Sequence, residues 1–310
     1  MRTPPKKSAQ FGEWKSEVKR RRRSASAVLS FFWRADFEEC YVCTGLTVAE
    51  ENVMIPSTYN GLRVRVVEWY NWEPEISTRI VSLYISDSVQ YVVVTHSLYS
   101  GYENLMEIRL PRNPNAMIYG SLALSSCAFY NDSNNWDNGA LYMDDWLLAT
   151  NDDLPEEYTV KQGTYGIAYG ALSRLDVIYG GHVKKVTVPD GVQALVGSFE
   201  GCASLEEVVL PDSLSSIGYG AFDACDSLMS VTIGDGVTII GKAAFSYCIS
   251  LESITIPDSV TSIGEGAFAG CESLETVYYR GSEEEWNEIG IRGGNEPLLN
   301  AEIVFNYKGE

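Results

Sequence analysis

Histidine is almost missing from this 310-residue chain, which has only His96 and His182. Neither stands in a motif with a nucleophile, and there is no Gly-x-Ser-x-Gly, no His-Glu-x-x-His and no Walker-type glycine loop. These gaps remove the usual signatures of triad hydrolases, zinc proteases and nucleotide-dependent enzymes. No run of 18 apolar residues occurs, so no segment is a candidate for a membrane-spanning helix. Basic residues are scarce after the first 36. Residues 37–310 hold 13 Lys or Arg against 39 Asp or Glu, a net of −26. A body this acidic is a poor partner for nucleic acid or anionic membrane. The expectation is a chain with no catalytic residues, no metal and no cofactor.

What the chain has instead is repetition. Cys202, Cys225, Cys248 and Cys271 recur every 23 residues, as do Phe199, Phe222, Phe245 and Phe268, and Leu205, Leu228, Leu251 and Leu274. Large apolar residues at such a fixed period mean stacked coils sharing one continuous core. Within one coil, Leu205, Val208 and Leu210 lead into Pro211, which reads as a short strand with one buried face, ended by a residue that cannot donate to a ladder. Asp212-Ser213 then turns the chain, Ile217 re-enters the core, Gly218 and Gly220 permit tight backbone turns, and Ala221-Phe222 close the coil. One coil cannot bury its own Phe, whereas a stacked pair can, at about 1.5–3 kcal/mol for each fully buried side chain. With 45% hydrophobic residues the chain can fill a large core, and stacking escapes the size limit of a single globular one.

The unit L-x-x-[VI]-x-[LI]-[PG]-D-x-[LV]-x-x-I-G-x-x-A-F-x-x-C, carried almost without departure by three copies, resembles the BspA-like leucine-rich repeat family. The resemblance implies a mainly-β repeat solenoid with short strands on one face, irregular return segments and a C-terminal cap. It also implies a bacterial surface-type protein, extracellular or cell-surface, that serves adhesion or protein binding rather than catalysis.

Degenerate units extend the pattern. Val183–Phe199 fits with one residue deleted, Leu105–Pro111 and Ile80–Ile85 fit the strand, and Cys127 takes the repeat cysteine's place after Ala123-Leu124. Val53–Val64 resembles the family's opening segment. The expected layout is a single solenoid over 37–307, with irregular repeats over 53–138, a strand-rich insertion over 139–164, regular repeats over 183–279 and a cap over 280–307. In the cap, Ser282 three residues before Glu285 forms a capping box for a short helix from Trp286 to Ile289. A turn, a partly buried Leu298-Leu299 pair and a last strand at Glu302–Phe305 should follow.

The first 36 residues hold 10 Lys or Arg against 3 Asp or Glu, a net of +7. The basic block Lys19–Arg23 precedes a short apolar run, Ala27–Trp33, in the manner of a signal peptide. The run is at the lower limit of such cores and no Ala-x-Ala-like site follows it. A disordered basic tail, or a start upstream of the true domain, is the favoured reading.

Few side chains invite chemistry. The four repeat cysteines are expected as a buried ladder of free thiols. Cys40-Tyr41-Val42-Cys43 has no second Cys pair or His pair to complete a metal site and reads as strand. Asn131–Gly139 is rich in oxygen atoms but lacks EF-hand spacing and reads as a turn cluster. Trp69, Tyr70 and Trp72 leave two readings open, exposure or the filling of core gaps. The best binding candidates are the positions between core residues on each strand: Lys184, Lys185 and Thr187; Glu206, Glu207 and Val209; Met229, Ser230 and Thr232; Glu252, Ser253 and Thr255; Glu275, Thr276 and Tyr278. Stacked, they make a ladder with acidic columns, the surface on which repeat proteins commonly bind. The function expected is a monomeric, non-enzymatic module recognising an unknown protein or glycan through this sheet face. A structural spacer or intracellular scaffold is the alternative, and a hydrolase a remote one.

Overall fold

The structure, a computed structural model, describes residues 127–172 and 182–309 continuously. Before residue 127 it describes 12–15, 28–34, 40–46, 52–59, 62–68, 82–93, 104–105, 107–113 and 116–119. The chain divides into two compact units, Met1–Asn135 and Trp136–Glu310, and each is a mainly-β solenoid. Among the described residues no helix is long and apolar enough to cross a membrane.

In the first unit, Asn52–Ile55, Ser82–Ile85 and Glu107–Arg109 pair in parallel, with Val53, Leu83 and Ile108 in register and buried. A second sheet runs through Gly12–Lys15, Val28–Arg34, Cys40–Leu46, Leu62–Glu68, Tyr91–Val93 and Met117–Tyr119. Its first two steps are antiparallel and the rest parallel. The strands Val28–Arg34 and Cys40–Leu46, on either side of the change in charge, pair with each other. The apolar run after the basic block pairs as a strand, because its aromatic and β-branched residues suit a pleated surface. The block Lys19–Arg23, His96, and Trp69, Tyr70 and Trp72 lie outside the described residues.

The second unit carries the regular coils. Seven strands run parallel in the order Glu157–Thr159, Lys185–Thr187, Glu207–Val209, Ser230–Thr232, Ser253–Ile256, Thr276–Tyr279 and Glu302–Val304, here called the front sheet. Its register places Val186, Val208, Val231, Ile254 and Val277 in one buried row. A second row of two-residue strands, Ser216–Ile217, Ile239–Ile240, Ser262–Ile263 and Gly290–Ile291, is also parallel. It buries Ile217, Ile240 and Ile263. The strands Ala140–Met143 and Trp146–Thr150 form an antiparallel hairpin whose second arm pairs in parallel with Gly166–Ile167 and, through it, with Ala194–Leu195.

Between these ladders lies a column of phenylalanines. Phe199, Phe222, Phe245 and Phe268 are fully buried, with successive ring centroids 4.8, 5.1 and 5.3 Å apart and near-parallel planes. The backbone clamps the column. The Phe199, Phe222 and Phe245 amides donate to Ala221, Ala244 and Ala267 of the next coil at 2.9, 2.7 and 2.7 Å. The Cys225, Cys248 and Cys271 thiols donate to the Phe199, Phe222 and Phe245 carbonyls at 3.2, 3.1 and 3.0 Å. All four repeat cysteines are free and buried. Burial pushes the Cys202, Cys225 and Cys271 thiols up, and for Cys248 the bond to Cys225 leads and burial adds. Since the thiolate is the nucleophile, native protein treated with iodoacetamide at neutral pH should keep all four unmodified by mass spectrometry. Prompt labelling, or oxidation of these thiols in native protein, would contradict the ladder.

Glycines do two different jobs in the return segments. Gly220 has φ +57° and occupies the left-handed region, as a tight turn requires. Gly218, read from sequence as a second turn glycine, is not left-handed. A Cβ there would lie 2.5 Å from the Leu195 carbonyl oxygen of the preceding coil, so it serves close approach of two backbones.

The cap follows the expected capping box. Ser282 Oγ accepts from the Glu285 amide at 3.2 Å, and the Glu285 carboxylate accepts from the Ser282 amide at 2.8 Å, at the start of the helix Glu283–Glu288. The pair Leu298-Leu299 is split, with Leu298 buried and Leu299 54% exposed. The turn read there is a second helix, Glu296–Asn300, and successive helical residues cannot share a face. The buried Asn295 precedes it. Its Oδ1 accepts from the Phe268 amide at 3.0 Å, and its Nδ2 donates to the Gly264 and Arg292 carbonyls. A side chain thus supplies the acceptor that a further coil's alanine would have offered.

Candidate functional site

The front sheet presents its non-core positions in rows, because parallel strands in register place equivalent residues side by side. Lys184, Glu252 and Glu275 are exposed, as are Val209, Met229, Ser230 and Thr232. Lys185, Thr187, Glu206, Glu207, Ser253, Thr255, Thr276 and Tyr278 are half-buried. Neighbouring side chains shield one another along the rows, which leaves about half of them only partly open.

The register brings six of the predicted residues together. Lys184, Lys185, Glu206, Glu207, Met229 and Ser230 line one shallow trough of about 300 Å³, with Glu156 and Glu157. Glu252, Thr255, Glu275 and Tyr278 lie farther along the same sheet, outside the trough. Two ion pairs brace it, Lys184 to Glu156 at 3.2 Å and Lys185 to Glu207 at 2.8 Å. Both lysines have raised pKa values, first from these hydrogen bonds to glutamate. The pairs are well exposed and do little for stability; they set the charge pattern of the surface. At the far end of the sheet, the Tyr278 ring lies against that of Tyr307, 4.5 Å between centroids.

Glu156 and Glu157 were not foreseen. They belong to the segment read as an insertion, yet the strand Glu157–Thr159 pairs with Lys185–Thr187 and opens the front sheet. A signal was present: Glu156-Glu157-Tyr158-Thr159-Val160 matches Glu206-Glu207-Val208-Val209-Leu210 position for position, with tyrosine in a core place. The Tyr158 hydroxyl meets that of Tyr142 in the hairpin at 2.5 Å, and burial leads in pushing its pKa up. That polar partner accounts for a tyrosine where the other coils carry valine or isoleucine.

The other sequence candidates are placed as follows. Cys40 and Cys43 are on the strand Cys40–Leu46. His182 Nε2 contacts the Leu154 carbonyl. Asp132 Oδ1 accepts from the Asn134 amide and side chain at 2.9 and 2.7 Å, a local turn. Among the described residues no group of three or more His, Cys, Asp or Glu is placed to hold a metal. Half-buried Glu200 and Asp223, one repeat apart, have carboxyl pKa values raised first by desolvation, and the Tyr169 hydroxyl donates to Glu200.

The family model of the BspA type leucine rich repeat region matches residues 178–290 in six copies. No curated protein matches the chain. Solved structures similar to it include a leucine rich cell surface protein from Faecalibacterium prausnitzii, 19% identical over 86% of this chain and 98% of that one, with a TM-score of 0.48. A leucine-rich repeat protein from Eubacterium ventriosum is 14% identical over 82% of each chain, with a TM-score of 0.43. The pneumococcal vaccine antigen PcpA is 14% identical over 96% of this chain and 97% of that one, with a TM-score of 0.40. The matched span includes the four coils that stack Phe199 to Phe268, so these regular coils are similar to the BspA type leucine rich repeat region.

Proposed function

We propose that residues 136–310 form a non-enzymatic binding module that recognises a protein or glycan through the front sheet, in adhesion at a cell surface. The observation that carries this reading is a division of labour within the repeat. The buried positions keep Phe, Cys and Leu from coil to coil, while the front positions change from Glu to Lys to Met to Ser. A spacer needs the first property and has no use for the second. The trough lies among the changing positions, and repeat proteins commonly bind along such surfaces. The family resemblance supports an extracellular or surface location, and the module is expected to act as a monomer.

The test is a binding panel of host matrix proteins and glycans, run on the full chain and on a variant with Glu206→Lys, Glu252→Lys and Glu275→Lys. These side chains are exposed or half-buried, so the variant should fold. Any interaction found should weaken at least about tenfold. If every interaction survives the reversal unchanged, or none is found, the sheet-face reading falls.

A further inference from the structure

Just before the first six front strands stand, in turn, Glu156, Lys184, Glu206, Met229, Glu252 and Glu275. Met229 interrupts this charged row, and its side chain is left 47% exposed. Its amide donates to the Glu206 carbonyl at 3.3 Å and its carbonyl accepts from the Glu252 amide at 3.0 Å. It therefore sits between two glutamates, one coil to each side, whose Cα atoms are about 10 Å apart at two strand spacings. Among the described residues neither carboxylate enters an ion pair, whereas Lys184 and Lys185 are engaged by Glu156 and Glu207. Met229 also closes one end of the trough.

A methionine thioether offers a soft, adaptable apolar contact. Flanked by exposed Glu252 and half-buried Glu206, neither held in an ion pair among the described residues, it suits an occupant apolar along its stem and positive at its tip, which is the build of lysine and arginine. An anionic occupant would have to break the two lysine pairs and meet carboxylates on both sides. A neutral sugar would leave the charge unanswered. We infer that Met229, Glu206 and Glu252 form the seat for a lysine or arginine side chain of a polypeptide partner. The inference rests on the sheet-face reading above and narrows it to protein, with a basic segment as the recognised element. The net charge of −26 on residues 37–310 would steer such a segment inward, more strongly at low salt.

The experiment titrates the full chain at low salt with a fluorescent octapeptide of alternating glycine and arginine or lysine, and with one carrying glutamate instead. Two double variants lose the same charge: Glu206→Gln with Glu252→Gln, and Glu272→Gln with Glu288→Gln away from the front sheet. The basic peptide should bind the first double about tenfold more weakly than the unmodified chain, the order of one lost charge-assisted hydrogen bond. It should bind the second within about twofold, as expected for distant screened charges. Met229→Ser should also weaken it. Equal losses in the two doubles, tighter binding of the acidic peptide, or no binding of the basic one would each overturn the seat. If the basic peptide fails while the triple charge reversal still abolishes another interaction, the seat falls and the sheet-face reading stands; if both fail, both fall.

Discussion

Replacing Phe245 by alanine should cost about 3–5 kcal/mol of unfolding free energy, measured by urea denaturation. Phe245 is fully buried, 5.1 Å from the Phe222 ring and 5.3 Å from that of Phe268. The cost of such a deletion depends on how far the surroundings can collapse into the space. Here they cannot collapse far. The spacing of these coils is fixed by the front pairing of Val231 with Ile254 and by the second ladder's pairing of Ile240 with Ile263. Both ladders would have to distort for Phe222 and Phe268 to meet. The hole also removes two ring contacts at once, each worth about 0.5–1.5 kcal/mol beyond area burial. A loss below about 1 kcal/mol, well under the range for a buried Phe, would mean that Phe245 is not part of the shared core.

Gly264→Ala is expected to destabilise by about 1–3 kcal/mol or more, against the usual sign for glycine replaced where the backbone is permissive. A Cβ at Gly264 would lie 2.4 Å from the Lys242 nitrogen and 2.6 Å from the Gly241 carbonyl carbon. These are main-chain atoms of the preceding coil, pinned by the ladders, so they cannot yield as a side chain would. Gly293→Ala is the matched control. A Cβ there meets nothing within 4 Å, and the change should be neutral or stabilise by up to about 1 kcal/mol through the unfolded chain. If both variants unfold at the same urea concentration, the close approach of coils at Gly264 does not limit stability.

The coils were legible because their core is written in identities. Phe199 to Phe268 and Cys202 to Cys271 name their own period, and the strand ending at Pro211 could be drawn without a structure. What escaped was whatever depends on a neighbour's geometry. Gly218 read as a turn because glycine's freedom is a local property, while a main-chain atom 2.5 Å from its missing Cβ is not. Asn295 passed as one residue of a turn because a single polar side chain does not announce that it will serve as acceptor for an amide 27 residues earlier. Glu156 and Glu157 were hidden by the hairpin before them and by tyrosine at a core position. The two-residue strands of the second ladder are too short for any periodicity to mark. Of the candidate surface, the outward positions were readable from alternation. The trough was not, since it required knowing which strand stands beside Lys185.

The clamp around each phenylalanine makes whole units the simplest step by which the regular coils can lengthen or shorten. The Phe222 amide and carbonyl are both satisfied from the coil that follows, by Ala244 and by Cys248. Every internal coil therefore hands on one donor and one acceptor in the same places, and only the last needs Asn295 for its donor. Gain or loss of a whole 23-residue unit leaves that exchange intact at each remaining junction. A change of another size keeps the exchange only where the return segment absorbs it, as between Leu172 and Phe199, where a longer coil still gives the Leu172 amide the Ser198 carbonyl at 3.4 Å. Variation in this architecture thus has two ready channels, the number of units and the outward residues each one carries, so a lineage could change reach and recognition independently of each other.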